Sequence, residues 1–257
     1  MSHAECLLRM MQKRGKVCPL LEAPWVKSTI FRMDWLHVCD LGVAADCIGN
    51  ILHELMELAP GRSKKEKCSN MFENIEAYYN GEEVTDRLDK LLPTMFDQDN
   101  DEPYKMRGSA AKIRALVPWV KDVCAEMMDP AVPKYAAMIA CTYHLDQVYQ
   151  ALSANHPSPT ETMKEHGVKF AAQYVALHDH LNAANTRSWR IKPKMHLFLH
   201  ITSDGSLPRR NWTYRDEDFG GSVARMSRRR GGVLRCSSTS KVLLQKFKIK
   251  NPVIRIR

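Results

Sequence analysis

Two stretches of the 257-residue chain carry residue types suited to metal or phosphate chemistry. In residues 32–43, Asp34, His37 and Asp40 follow one another at three-residue spacing. In residues 214–232, Asp216, Glu217 and Asp218 run into Arg225, Arg228, Arg229 and Arg230. An acid-x-x-His unit at the start of a helix can hold a metal ion, orient a neighbouring carboxylate or cap the helix. In the last case Asp34 is the cap and His37 an interior histidine. If a helical turn begins at Asp34, then Asp34, His37 and Asp40 or Leu41 lie on neighbouring faces. Read as a helix, the second stretch puts Phe219, Val223 and Met226 on an inward stripe, with Glu217, Gly221, Ala224 and Arg228 opposite. The small residues would admit a ligand or another segment beside Glu217. Acids leading and bases trailing along one helix also offset its dipole, so both readings stand.

Other candidates are weaker. His196 and His200 are spaced to bind zinc from one helix face, but the Glu of a zinc protease is missing. A partly buried histidine pair is the simpler reading. Cys6, Cys18, His37, Cys39 and Cys47 could hold zinc but lack paired spacing. The acidic loop 97–103 lacks the glycine of a calcium-binding EF-hand. Neither a Gly-rich phosphate loop, nor a nucleophile elbow, nor a dinucleotide fingerprint occurs.

Most of the elements that must position these residues read as helices. Ile48, Ile51, Leu52 and Leu55 predict a helix over 43–58, ended at Pro60-Gly61. A polar helix follows over 63–79, and Val84, Leu88, Leu91, Leu92 and Met95 predict another. Ser109 caps a helix that Pro118 should kink or divide. Two more are expected at 132–153 and 160–183. Residues 1–28 read as an irregular basic lead-in broken by Pro19 and Pro24, and residues 29–31 as a β-like run.

Charge is segregated. Residues 187–257 hold 18 Lys and Arg against 4 acids, a net of +14, whereas residues 1–186 are net −5. A concentrated basic segment is the electrostatic footprint of a phosphate-backbone partner, although a solvated tail has the same composition. No apolar run is long enough to span a bilayer, so no membrane partner is expected. The eight cysteines occur without C-x-x-C pairs, and residues 1–6 carry no signal-peptide pattern. Reduced thiols and an intracellular setting are expected.

Taken together, the Asp34-Trp35-Leu36-His37 and Asp40-Leu41-Gly42-Val43 runs, the Lys192-Pro193-Lys194-Met195-His196 run and the Tyr214–Gly221 stretch resemble a known family. The chain is similar to the C-terminal half of cut-and-paste DNA transposases of the hAT and CACTA kind, and to multi-copy transposase-derived proteins of some protist genomes. The resemblance implies a mainly α fold: a helical bundle-like insertion flanked by remnants of an RNase H-like α/β core. The implied segments are 1–42 (partial core), 43–188 (all-α insertion) and 189–257 (basic core segment). It further implies that Asp34, His37 and Glu217 are catalytic. Asp34 and Glu217 would hold Mg2+ in two-metal strand transfer. Arg225, Arg228, Arg229 and Arg230 would hold DNA phosphates.

Residues 1–28 contain no aspartate to serve as the family's first catalytic acid. A fragment or decayed copy is therefore expected, with catalysis latent or lost. The expected function is nucleic-acid binding in the nucleus. The alternatives are a metal-dependent strand-transfer nuclease completed by a missing segment, or a helical interaction module that self-associates through its central helices.

Overall fold

The structure is a computed structural model that describes residues 3–15, 21, 32–97, 101–153, 155–181 and 187–205, with a few more among 207–245. Its elements are α1 (His3–Arg14), a π-helix (Leu36–Ala44), α2 (Ala45–Leu58), α3 (Lys64–Gly81), α4 (Ala110–Met127), α5 (Pro133–Gln150), α6 (Pro159–Leu181) and α7 (Pro193–Ser203). A single 3-10 turn occupies Pro93–Met95. The protein is mainly α, with no strand among the described residues. The β-like run at 29–31 lies outside them.

Local signals account for where most helices begin. Ser63 and Ser109 accept the backbone N–H of Glu66 and Lys112, satisfying a donor that the first turn leaves unpaired. Proline opens α5, α6 and α7, where its missing N–H costs nothing.

Three expectations need correction. The lead-in is not wholly irregular, because α1 forms ahead of both prolines. Residues 84–95 do not form a helix. The Arg87 guanidinium holds the carbonyls of Val84 and Tyr79 and the side chain of Asn80, so the chain is tied into turns before Pro93. Pro118 does not divide its helix, for α4 runs continuously through it. Leu116, Val117, Trp119 and Val120 are buried on both sides of the proline, and their packing holds the helix together across the missing hydrogen bond.

The chain divides into two compact units, Met1–Trp212 and Thr213–Arg257. In the first, α4, α5 and α6 pack in series and α7 lies against α6. The π-helix is the hub: it touches α2, α4 and α7, and most of its residues are buried. Residues 34–44, the helices that follow and α7 therefore share one core, which includes the fully buried Trp35, Trp119 and Trp189. Five described cysteines (39, 47, 68, 124 and 141) are buried free thiols. No described helix is long and apolar enough to cross a membrane.

Candidate nucleic-acid interface

The helical run starts just after Asp34, with Val38 N–H donating to Asp34 O at 3.1 Å, and passes into the wide π register over Leu36–Ala44, which sends the motif's three polar groups to different places. Asp34 caps the first turn, accepting the N–H groups of Leu36 (3.4 Å) and His37 (3.0 Å). Its Oδ2 also lies 2.6 Å from Nδ1 of His37. The carboxylate thus accepts Nδ1–H. The cap reading and the orienting reading both hold for Asp34. His37, however, is exposed rather than interior; Trp35 is the buried neighbour. Asp40 is fully buried. It accepts hydrogen bonds from Trp35 Nε1 at 3.2 Å and from the Tyr149 hydroxyl at 2.6 Å. Trp35 and Asp40 are five residues apart, the spacing that a π-helix brings into line.

The next face of the same helical run is built from small and polar residues: Gly42, Ala45, Asp46, Gly49 and Asn50, all buried. At Gly49 the extended segment around Lys105 crosses so closely that an added Cβ would lie 2.4 Å from Lys105 Cα. The crossing is fixed by Met106 N–H donating to Ala45 O at 2.8 Å. At Gly42 a Cβ would meet the aliphatic stem of Lys194 at 2.7 Å. Asn50 accepts the Trp189 N–H at 2.6 Å and donates to Asp46 O at 2.7 Å. This anchors Trp189 in the left-handed region (φ 51°), a conformation costing about 1–3 kcal/mol unless its surroundings enforce it. The enforcement also comes from Tyr174, edge-on to the buried indole, and from His178 against the Trp189 carbonyl. That turn delivers the Lys-Pro-Lys run at 192–194 to the helix face.

Three lysines converge there. Lys192 Nζ pairs with Asp46 at 2.8 Å, Lys194 Nζ donates to the His37 carbonyl at 2.7 Å, and Lys105 Nζ donates to the Leu41 carbonyl at 2.8 Å. Burial pushes the Asp46 carboxyl up from its ordinary value, opposed by the charges of Lys192, Lys105 and Lys194. Burial likewise pushes the Lys105 ammonium down, with Asp46 opposing and the other two lysines reinforcing. Lys192 is ion-paired with Asp46, whereas Lys194 and Lys105 are held by neutral carbonyls that leave their charge uncancelled. An arrangement of this kind can hold an anion with several oxygens.

The structure brings Asp34 and His37 together and seats both beside Lys194. Arg225, in the second unit, is exposed. Glu217, Arg228, Arg229 and Arg230 lie outside the described residues, as does Cys18. Of the residues weighed for zinc, His37 is exposed while Cys39 and Cys47 are buried, and the described residues contain no group of three or more potential metal ligands. His196 and His200 lie with Nε2 atoms 2.9 Å apart, but on an exposed face rather than partly buried.

Sequence reasoning missed Asp46, Asn50 and Lys105. The small-residue spacing 42-45-46-49-50 was a readable signal of close approach to that face; the crossing of residue 105 was not. Comparison of the chain with protein-family models, with curated proteins and with solved structures gives no match.

Proposed function

We propose that the protein is a transposase-derived nucleic-acid-binding protein. It takes the phosphate backbone with Lys105, Lys192 and Lys194 of its helical unit and with the arginines of its basic last quarter, and its catalysis is latent or lost. The observation that carries the reading is the gathering of three ammonium groups on one helical run, Lys192 on Asp46, Lys105 on the Leu41 carbonyl and Lys194 on the His37 carbonyl. The net charge of +14 over residues 187–257 supports it from sequence, with Arg225, Arg228, Arg229 and Arg230 as further phosphate contacts. DNA is the proposed partner and the nucleus the proposed setting. The RNase H-like remnants belong to the same proposal and rest on the sequence motifs.

The catalytic part of the resemblance has less behind it. Magnesium prefers carboxylate and water ligands. Asp34 offers a single carboxylate whose oxygens already serve the helix cap and His37, a poor fit for that ion.

The test is fluorescence anisotropy of a labelled DNA duplex across a salt series. Binding should weaken steeply as salt rises, because each neutralised phosphate releases counterions. Lys194→Gln should lower the slope by about one, and Arg228→Ala/Arg229→Ala/Arg230→Ala by about two to three. No binding at low salt, or slopes unchanged in both variants, refutes the proposal. A second reading, self-association through the central helices, is favoured by Val168 and Val175, exposed one heptad apart on α6. Concentration-dependent mass with no response to DNA would select it.

A further inference from the structure

Away from the lysine cluster, α5 and α6 bring His144 and His166 together with their Nδ1 atoms 2.9 Å apart. We propose that this pair is a two-histidine site for a divalent transition metal, copper(II) or nickel(II) in preference to zinc, clamping α5 to α6.

The choice of metal follows the general affinity order of divalent ions for imidazole, together with the spacing of the two nitrogens. Metal–imidazole bonds are about 2.0–2.1 Å long, so two nitrogens at a right angle about a square-planar ion are about 2.9 Å apart, and about 3.3 Å apart around a tetrahedral one. The observed spacing is that of an N–H···N hydrogen bond and lies nearer the square-planar value than the tetrahedral one.

Both rings are held in place before any metal arrives. Each is half-buried, and Tyr143 stands roughly edge-on to both, with ring centroids 5.3 and 5.9 Å away. The neutral imidazole is the form that binds metal. Burial lowers the affinity of both for protons; Lys169 adds to this at both rings and Glu165 opposes it. Lys169 and Glu165 are themselves paired at 2.6 Å. With both rings neutral, one Nδ1–H donates to the other Nδ1. When the ion takes both Nδ1 atoms, the donating ring loses that proton to solvent and gains one at Nε2, so charge balances. The remaining coordination positions fall to water or small anions. His144 also lines a cavity of about 550 Å³ shared with Lys121, Ile139, Tyr143 and Gln147.

The His196–His200 pair on α7 is a competing site of the same spacing, but its rings are exposed and packing does not fix them. The experiment therefore uses the full chain in a His196→Gln/His200→Gln background. Ni2+ binding is followed by calorimetry and by the thermal midpoint, and Cu2+ binding by electron paramagnetic resonance. The expected result is one Ni2+ site that raises the midpoint and a tetragonal copper signal with nitrogen coupling. Both should fall at least tenfold in affinity on His166→Gln and on His144→Gln. Binding unchanged by either substitution overturns the proposal, as does loss of the site in the His196→Gln/His200→Gln background itself. Tighter binding of Zn2+ than of Ni2+ overturns the geometric argument even where a variant fails to fold.

Discussion

Gly49→Ala sets helix propensity directly against packing, and the structure decides the sign. Alanine in the middle of α2 should gain about 1 kcal/mol over glycine by propensity alone. The added Cβ, however, would lie 2.4, 2.5 and 2.7 Å from Lys105 Cα, N and C. All three are backbone atoms that cannot rotate away, and carbon atoms sit comfortably only at about 3.5–4.0 Å. The 104–106 segment must therefore retreat by about 1 Å. Overpacking of this kind costs about 1–3 kcal/mol. Stretching the 2.8 Å bond from Met106 N–H to Ala45 O costs about 1 kcal/mol more. The net expectation is a loss of about 1–3 kcal/mol, read as a lower midpoint in urea denaturation with the slope unchanged. Because the retreat also lifts Lys105 from the Leu41 carbonyl, the variant's DNA-binding salt slope should fall as well. A variant stabilised by about 1 kcal/mol would mean that propensity wins, and that the segment does not cross α2 at Gly49.

Two further outcomes follow from buried groups. Tyr149→Phe removes a 2.6 Å hydrogen bond to the fully buried Asp40 and should cost about 1–3 kcal/mol in chemical denaturation; a loss under about 0.5 kcal/mol would mean that this bond does not anchor the π-helix. His144 and His166 have pKa values pushed below 6.5 by burial, and the unfolded chain regains the ordinary value, so it binds protons first as pH falls. Their contribution to stability is full above pH 6.5 and is lost as pH drops through the window below it. Unfolding free energy measured across that window should fall in the metal-free protein and flatten in His144→Gln/His166→Gln; parallel curves for the two proteins would refute the assignment.

How far the sequence discloses this molecule depends on whether a signal is local. The stripe of Ile48, Ile51, Leu52 and Leu55 locates α2, and Ser63 and Ser109 mark helix starts with their own side chains, so these elements are legible. Leu88 and Leu91 have helical spacing and are buried, yet they sit in turns, because Arg87 reaches back to carbonyls that periodicity does not register. Pro118 is the reverse case, a strong local breaker overridden by the buried residues beside it. The partners that organise the site are out of local reach altogether. Tyr149 meets Asp40 across 109 residues and Lys192 meets Asp46 across 146. For the motif Asp34-x-x-His37-x-x-Asp40 a helix start is one of several open readings, the helix itself is expected only from residue 43, and the faces are assigned on a 3.6-residue period. The π register breaks that assignment and moves Asp40 into the core.

That displacement bears on the chemistry of the whole region. An α-helix starting at Asp34 would stack Asp34, His37 and either Asp40 or Leu41 along neighbouring faces, the geometry of a shared metal or proton-transfer site. The π-helix instead commits Asp40 to Trp35 and Tyr149 inside the core, and Asp34 to the cap, leaving His37 as the exposed member. The carboxylates of the motif are thereby occupied with holding the backbone. The backbone they hold presents the carbonyls of His37 and Leu41 to Lys194 and Lys105. The motif's acids thus act at one remove: they shape the helix whose carbonyls and Asp46 gather the lysines. Gathering three ammonium groups works against Lys105, whose proton affinity is lowered first by burial and then by its two neighbours despite Asp46. Two neutral carbonyls supply acceptors without cancelling that charge, which suits the arrangement to an anion with several oxygens. A phosphate backbone is such an anion, and for this reason the lysines, rather than Asp34 or Glu217, are the residues on which the proposed function stands.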